Sequence, residues 1–226
     1  TVTARMDGSS RFGMNNHYGF FPSAALGWVI SNEDFMKGIS WLNTLKLHTS
    51  YGRTGSSEIG VYSTLATISS GTVLLNNGRG ASTNVARLAN PDLQWEKTDQ
   101  FDFGFNLSVF NNRVNLDMDY YHKLTSDLLL ARPIPYTTGF SSVTDNIGEV
   151  SNRGLDILVN TTNIKTKDFT WETTLNTNYN TNRIEKLGKN NEDITQDQRV
   201  LKSRDKAPHQ KRCEITQKSR VPCELT

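Results

Sequence analysis

Between Gln94 and Ala131 apolar and polar residues alternate on two successive arms. Phe101, Phe103, Phe105, Leu107 and Val109 are separated by Asp102, Gly104, Asn106 and Ser108. Beyond Asn111-Asn112, Val114, Leu116, Met118 and Tyr120 alternate with Asn115, Asp117, Asp119 and Tyr121. Period two over this length predicts two long strands. With Asn111-Asn112 as a two-residue turn, Val109 lies opposite Val114, Phe105 opposite Met118 and Phe103 opposite Tyr120. Both apolar rows then share one face, which a slip of one residue would reverse. The other face carries carboxylates, which dry cores exclude, so it is expected to meet water.

The same period recurs along the chain. Thr1 to Asp7 reads as the end of a strand, Gly8 to Gly19 as a loop, and Phe20 to Ser31 as a second strand with Pro22 near its start, where a missing N–H is tolerated. Asn32 to Ser40 is a short connection with room for one helical turn. Trp41 to Arg53 is a strand with Leu45, Leu47, Thr49 and Tyr51 on one face and Lys46, His48 and Ser50 on the other. Thr54 to Asp92 is a long Gly-, Ser-, Thr- and Asn-rich segment with a turn at Asn77-Gly78; loops of this length are usually functional. Arg132 to Ile147 is a further loop. Gly148 to Asn163 and Phe169 to Ile184 are strands whose outward residues are odd on both arms. That requires an odd connection, met by three residues, Ile164 to Thr166.

Short connections therefore alternate with long ones, as in an outer-membrane barrel with short periplasmic turns and long external loops. An apolar band about 25 Å tall, crossed at a tilt of about 40°, takes roughly ten residues per strand. Counting from the turn places that band between Phe101 and His122. Trp41, Phe110, Phe169 and Trp171 near the strand ends suit an interfacial girdle. The fold class expected is all-β, an antiparallel up-and-down transmembrane β-barrel segment of about six to seven strands. The alternative is a secreted soluble β-sandwich or adhesin module that binds glycans. It would need a dry core, which the Asp and Asn rows oppose.

Composition agrees with a two-faced chain. Of 226 residues 35% are hydrophobic, mean hydropathy is -0.54, and no apolar run approaches the roughly 18 to 20 residues of a membrane helix. Net charge is +2, and Thr195 to Thr226 holds 8 Lys and Arg against 4 Asp and Glu. The rest is slightly acidic, which offers nucleic acid no basic surface.

Candidate chemistry is sparse. Asp117 and Asp119 project from one face and could be read as a catalytic pair or a Ca²⁺ site, but a wet lumen explains them more simply. His17, His48, His122 and His209 share no metal-ligand spacing. Gly78 to Thr83 lacks the Gly-Lys-Ser/Thr of a phosphate loop. Asn106-Leu107-Ser108 and Asn160-Thr161-Thr162 match a glycosylation pattern inside expected membrane strands. Cys213 and Cys223 give a weak zinc or disulfide signal. No catalytic, cofactor or metal residue is assigned, no enzyme activity is expected, and ligand-binding residues are not identified. Arg53, Tyr62, Arg79, Tyr136 and Phe140 in the long loops suit ligand capture or packing of loop on loop.

An ordered set of motifs resembles the SusC/RagA family of TonB-dependent outer-membrane transporters of Bacteroidetes-type bacteria. They are DGSSRFG at Asp7 to Gly13, FPSAALGW at Phe21 to Trp28, LKLHTSYGRTG at Leu45 to Gly55, NPDLQWEKT at Asn90 to Thr98, DYYHKLTSDLLL at Asp119 to Leu130, PIP and TTGF within Pro133 to Phe140, and NIGEVSNRGLD at Asn146 to Asp156. His48 stands where the family usually has Arg. The resemblance implies a 22-stranded barrel filled by an N-terminal plug, energised through a TonB complex and paired with a SusD-like surface lipoprotein. It also implies outer-membrane lipid around the wall, import of oligosaccharide or peptide nutrients, and no cofactor. Residues 1–190 are expected to be a partial receptor barrel, not transport-competent alone. Residues 191–226 are expected to be a non-family basic tail, disordered or frameshifted, because composition changes where another strand is due.

Overall fold

The computed structural model describes residues 1–13, 15–75, 78–188, 194–196, 199–201 and 210–220. Its strands are β1 Val2–Gly8, β2 Tyr18–Val29, β3 Leu42–Ser56, β4 Thr67–Leu75, β5 Gly78–Arg87, β6 Glu96–Val109, β7 Val114–Pro133, β8 Ser142–Lys165, β9 Thr170–Leu187, β10 Ile194–Gln196, β11 Arg199–Leu201 and β12 Gln210–Arg220. Eight of them form one antiparallel sheet in the order β1-β2-β3-β6-β7-β8-β9-β12. The ribbons β4-β5 and β10-β11 stand apart as two-stranded sheets. The main sheet is an up-and-down meander, open at β1 and β12, and the described residues do not form the two facing sheets of a sandwich.

Register follows the alternation. Val109 pairs with Val114, Phe105 with Met118 and Phe103 with Tyr120. The turn is closed by the Arg113 N–H donating to the Phe110 carbonyl at 3.2 Å. Asn111 and Asn112 take φ of 55° and 62°, the left-handed pair that a tight hairpin needs and Asn tolerates. The apolar row continues across the sheet, from Leu26 through Thr49 to Phe103 and from Tyr120 through Leu155 to Tyr179. Leu26, Trp28, Tyr51, Phe101, Phe103 and Tyr120 are all exposed. Water would penalise so large an apolar face, whereas lipid accepts it.

Three connections differ from the sequence expectation. The segment Thr54 to Asp92 contains the ribbon β4-β5, whose Leu75 pairs with Gly78; of the expected Asn77-Gly78 turn, Asn77 lies outside the described residues. The loop Arg132 to Ile147 shrinks, because β7 runs to Pro133 and β8 begins at Ser142. At the β8-β9 turn, Lys165 pairs with Thr170 across four residues, an even number. The extra residue needed for parity is a bulge between Thr162 and Ile164, so a bulge does what an odd loop was expected to do. The turn is fastened by Thr166 N–H to the Phe169 carbonyl at 2.8 Å and Phe169 N–H to Thr166 Oγ1 at 3.0 Å.

Of residues 191–226, β10, β11 and the backbone of β12 fall within the described residues. β12 adds to β9, Gln210 opposite Asn180 through Arg220 opposite Thr170.

Candidate functional site

The inner face is polar from β3 to β9, with Leu158 the apolar residue set between Asp117 and Asn176. Asn106 Nδ2 donates to Asp117 Oδ1 at 2.6 Å, Ser50 Oγ to Asp102 Oδ2 at 3.0 Å, Ser108 Oγ to Asn115 Oδ1 at 2.7 Å and Thr174 Oγ1 to Asn160 Oδ1 at 2.8 Å. Asn178 donates to Asp156. His48 Nε2 and Asp119 Oδ1 lie 2.7 Å apart although β6 runs between their strands. Gly104 makes this possible, since a Cβ there would lie 2.0 Å from Asp119 Oδ1 and 2.6 Å from His48 Nε2. Tyr121 crosses β8 in the same manner, over Gly154. The His48 and Asp119 side chains remain 33% and 47% exposed, so this is a wetted wall whose donors and acceptors are largely matched to one another.

At the long-loop end a dry cluster gathers Phe12, Phe21, Ile59, Leu93 and Trp95, with Leu129 packed against it. Phe12 is 2% and Leu93 0% exposed. The Phe12 and Phe21 rings meet Trp95 at centroid distances of 5.2 and 5.5 Å. Polar clasps hold the loops around it. Trp95 Nε1 donates to the Asn16 carbonyl at 3.1 Å, Asn16 Nδ2 donates to the Asp92 and Leu93 carbonyls, and Arg11 Nη1 donates to the Ile59 carbonyl at 3.0 Å. Asn146 accepts from Gln94 N–H and donates Nδ2 to the carbonyls of Gln94 and Asp127 at 2.9 and 2.8 Å. Asp127 marks the β7 bulge, with φ of 57°. A second cluster joins Ile147, Leu187, Leu130 and Ile184.

Just beyond the apolar band, Arg53 Nε and Nη2 bind the two Asp99 oxygens at 2.8 and 3.0 Å, and the Tyr51 hydroxyl donates to Asp99 at 2.7 Å. The Arg53 guanidinium first, then the Tyr51 hydroxyl, holds the Asp99 carboxyl below its ordinary range. Burial pushes Glu96 the other way.

The residues singled out from sequence scatter over the sheet. Asp117 and Asp119 share the inner face, but Asp117 is held by Asn106 and Asp119 by His48. His17 sits in a loop, its carbonyl accepting from Ser9 N–H, His122 lies on the outer face, and His209 lies outside the described residues. Gly78 to Thr83 belong to strand β5. Among the long-loop residues, Arg53 is tied to Asp99, Tyr62 and Tyr136 are exposed, and Phe140 borders a groove of about 490 Å³ with Ser69, Asn84 and Arg87. No group of three or more metal-ligating side chains forms among the described residues. Sequence reasoning missed the dry cluster, although Phe12, Phe21, Leu93 and Trp95 all lie within the ordered motifs.

A lipid-facing apolar row, a wetted polar row behind it and long loops knotted together at one end define a segment of transmembrane β-barrel wall. The chain belongs to the TonB-dependent receptor β-barrel family, described as "TonB dependent receptor-like, beta-barrel", which matches residues 1–207. It is 42% identical over 187 residues to TonB-dependent receptor P3 of Formosa agariphila, covering 83% of this chain and 19% of that protein. It is 39% identical over 192 residues to TonB-dependent receptor SusC of Bacteroides thetaiotaomicron, again over 83% of this chain and 19% of that protein. The RagAB peptide importer in its closed-closed state superimposes with a TM-score of 0.79 at 35% identity, covering 90% of this chain and 22% of that one. The open-open state gives 0.77 at 36%, covering 87% and 21%. The chain therefore spans about a fifth of the proteins it matches, and the match to the outer-membrane barrel family covers residues 1–207.

Proposed function

We propose that the protein carrying this chain imports oligosaccharide or peptide nutrients across the outer membrane, working with a SusD-like surface lipoprotein and energised by a TonB complex. The observation that carries this reading is the inner face, where hydroxyl, amide and carboxylate groups run across the five strands from β3 to β9 while the opposite face is apolar. Such a wall lines a route for polar solutes, because water and solute hydroxyl or peptide groups can exchange hydrogen bonds with it at little net cost. The similarity to SusC and to a RagAB peptide importer supports the transport reading. At the mouth, β4-β5 exposes Ile68, Leu74 and Val85, and a two-stranded ribbon is marginal by itself. Those side chains offer the lipoprotein partner an apolar contact.

A strain deleted for the full-length gene, with and without a complementing copy, tests this on panels of oligosaccharides and peptides as sole nutrient. Growth on one class is expected to stop in the deletion and return with the complement. Equal growth and equal uptake of labelled solute on every member of both panels would overturn it.

A further inference from the structure

We propose that the outer wall carries a binding site for a phosphorylated outer-leaflet lipid, formed by Arg153 and His122 with Arg183 beside them. Facing is fixed by the inner-wall bonds. Asp119 and Asp156 point inward to His48 and Asn178, so His122 and Arg153, an odd number of residues away, point outward on β7 and β8. They are register partners, and the same row continues from His122 to Phe101 and from Phe101 to Tyr51. Arg183 pairs with Ser151, the next outward residue of β8.

The height of this group identifies its ligand. Tyr120 pairs with Leu155 and Leu155 with Tyr179 one outward step nearer the membrane, and both tyrosines are exposed. Tyrosines sit at headgroup level, so the cations just beyond them meet headgroups rather than acyl chains. Charge supplies the second argument. Four cations nearby have carboxylate partners: Arg53 with Asp99, Lys97 with Asp127, Arg132 with Asp145 and Lys186 with Glu149. Arg183 has a long contact of 3.6 Å to Glu185, and Glu185 also accepts from Ser151 Oγ at 2.7 Å. Arg153 is exposed and, among the described residues, has no carboxylate within ion-pair distance. A planar guanidinium with free donors beside an imidazole and a second guanidinium matches a phosphate monoester.

Native mass spectrometry of the purified full-length protein tests the site, with bisphosphorylated lipid A, dephosphorylated lipid A and inorganic phosphate as probes. Folding of each variant is checked by heat-modifiable gel mobility. Wild type is expected to bind the bisphosphorylated lipid at least tenfold more tightly than the dephosphorylated one, with millimolar phosphate failing to displace it. Arg153→Glu combined with His122→Gln is expected to lose about tenfold for the phosphorylated lipid alone, and Asn176→Ala on the inner wall to lose nothing. Equal binding of the two lipids by wild type, full displacement by free phosphate, or wild-type affinity in the folded double variant would each overturn the proposal. The lipid comparison on wild type decides the matter even where the double variant does not fold.

Discussion

Individual side chains on this sheet act across strands rather than along them. His48 reaches Asp119 only because the strand between them offers Gly104, and any larger residue would put a carbon where the carboxylate oxygen now lies. The Arg53 pair with Asp99 is of a different kind, because it stands outside the band. Its folded carboxyl is held below the ordinary value, so its stabilising effect is complete above the ordinary carboxylate pKa of about 3.9 and is lost as pH falls through the lowered folded value. Arg53 is 39% exposed, and solvent screening limits the effect to at most about 1 kcal/mol. Thermal unfolding of the full-length protein between pH 7 and pH 3 should show Asp99→Asn lowering the midpoint at neutral pH and flattening the acid limb. Identical curves for variant and wild type would contradict this. Glu96 has the opposite sign, since its raised pKa makes the ionised form a cost that disappears on acidification.

At the scale of the strand, alternation assigns each residue to lipid or lumen, and that assignment can be tested by substitution. Phe103→Arg and Leu116→Arg place a cation in the apolar band, where about 2 to 4 kcal/mol is expected for each. Asp117→Arg, on the wetted face, should be tolerated far better in refolding titrations into bilayers. If all three variants fold alike, the faces have been assigned wrongly. The hairpin register was legible from residues 101 to 121 because the period is strict and Asn-Asn permits a tight turn. The β8-β9 turn was not, since an odd loop and an even loop with a bulge give the same alternation, and only backbone pairing separates them. The ribbon β4-β5 was likewise hidden. Ile68, Val73, Leu74 and Val85 are too few among Gly, Ser, Thr and Asn to impose a period.

For the molecule as a whole, the open edges dominate. Among the described residues β1 and β12 each present one unpaired row of backbone groups, and exposed edges template association with other chains. The isolated 226-residue chain is therefore expected to aggregate in plain buffer rather than fold as a monomer, as size-exclusion chromatography with light scattering would show. A monodisperse, cooperatively unfolding monomer would refute this. Within the full barrel the apolar face meets lipid, the polar face meets water, and the loop cluster around Trp95 closes the mouth end of the wall.

The sequence by itself determined strands β1 to β3 and β6 to β9, their facing, the two classes of connection and the family, because all of these are written in local period and ordered motifs. It did not show that the ordered motifs converge. Phe12, Phe21, Leu93 and Trp95 are separated by up to 83 residues, yet meet in one dry cluster, while Asn146 closes the backbone of two other segments. Contacts of that kind depend on where whole strands end in space. Only the tertiary structure decided them, and only it showed an outward Arg153 with no carboxylate partner among the described residues, since pairing of charges is a matter of distance and not of pattern.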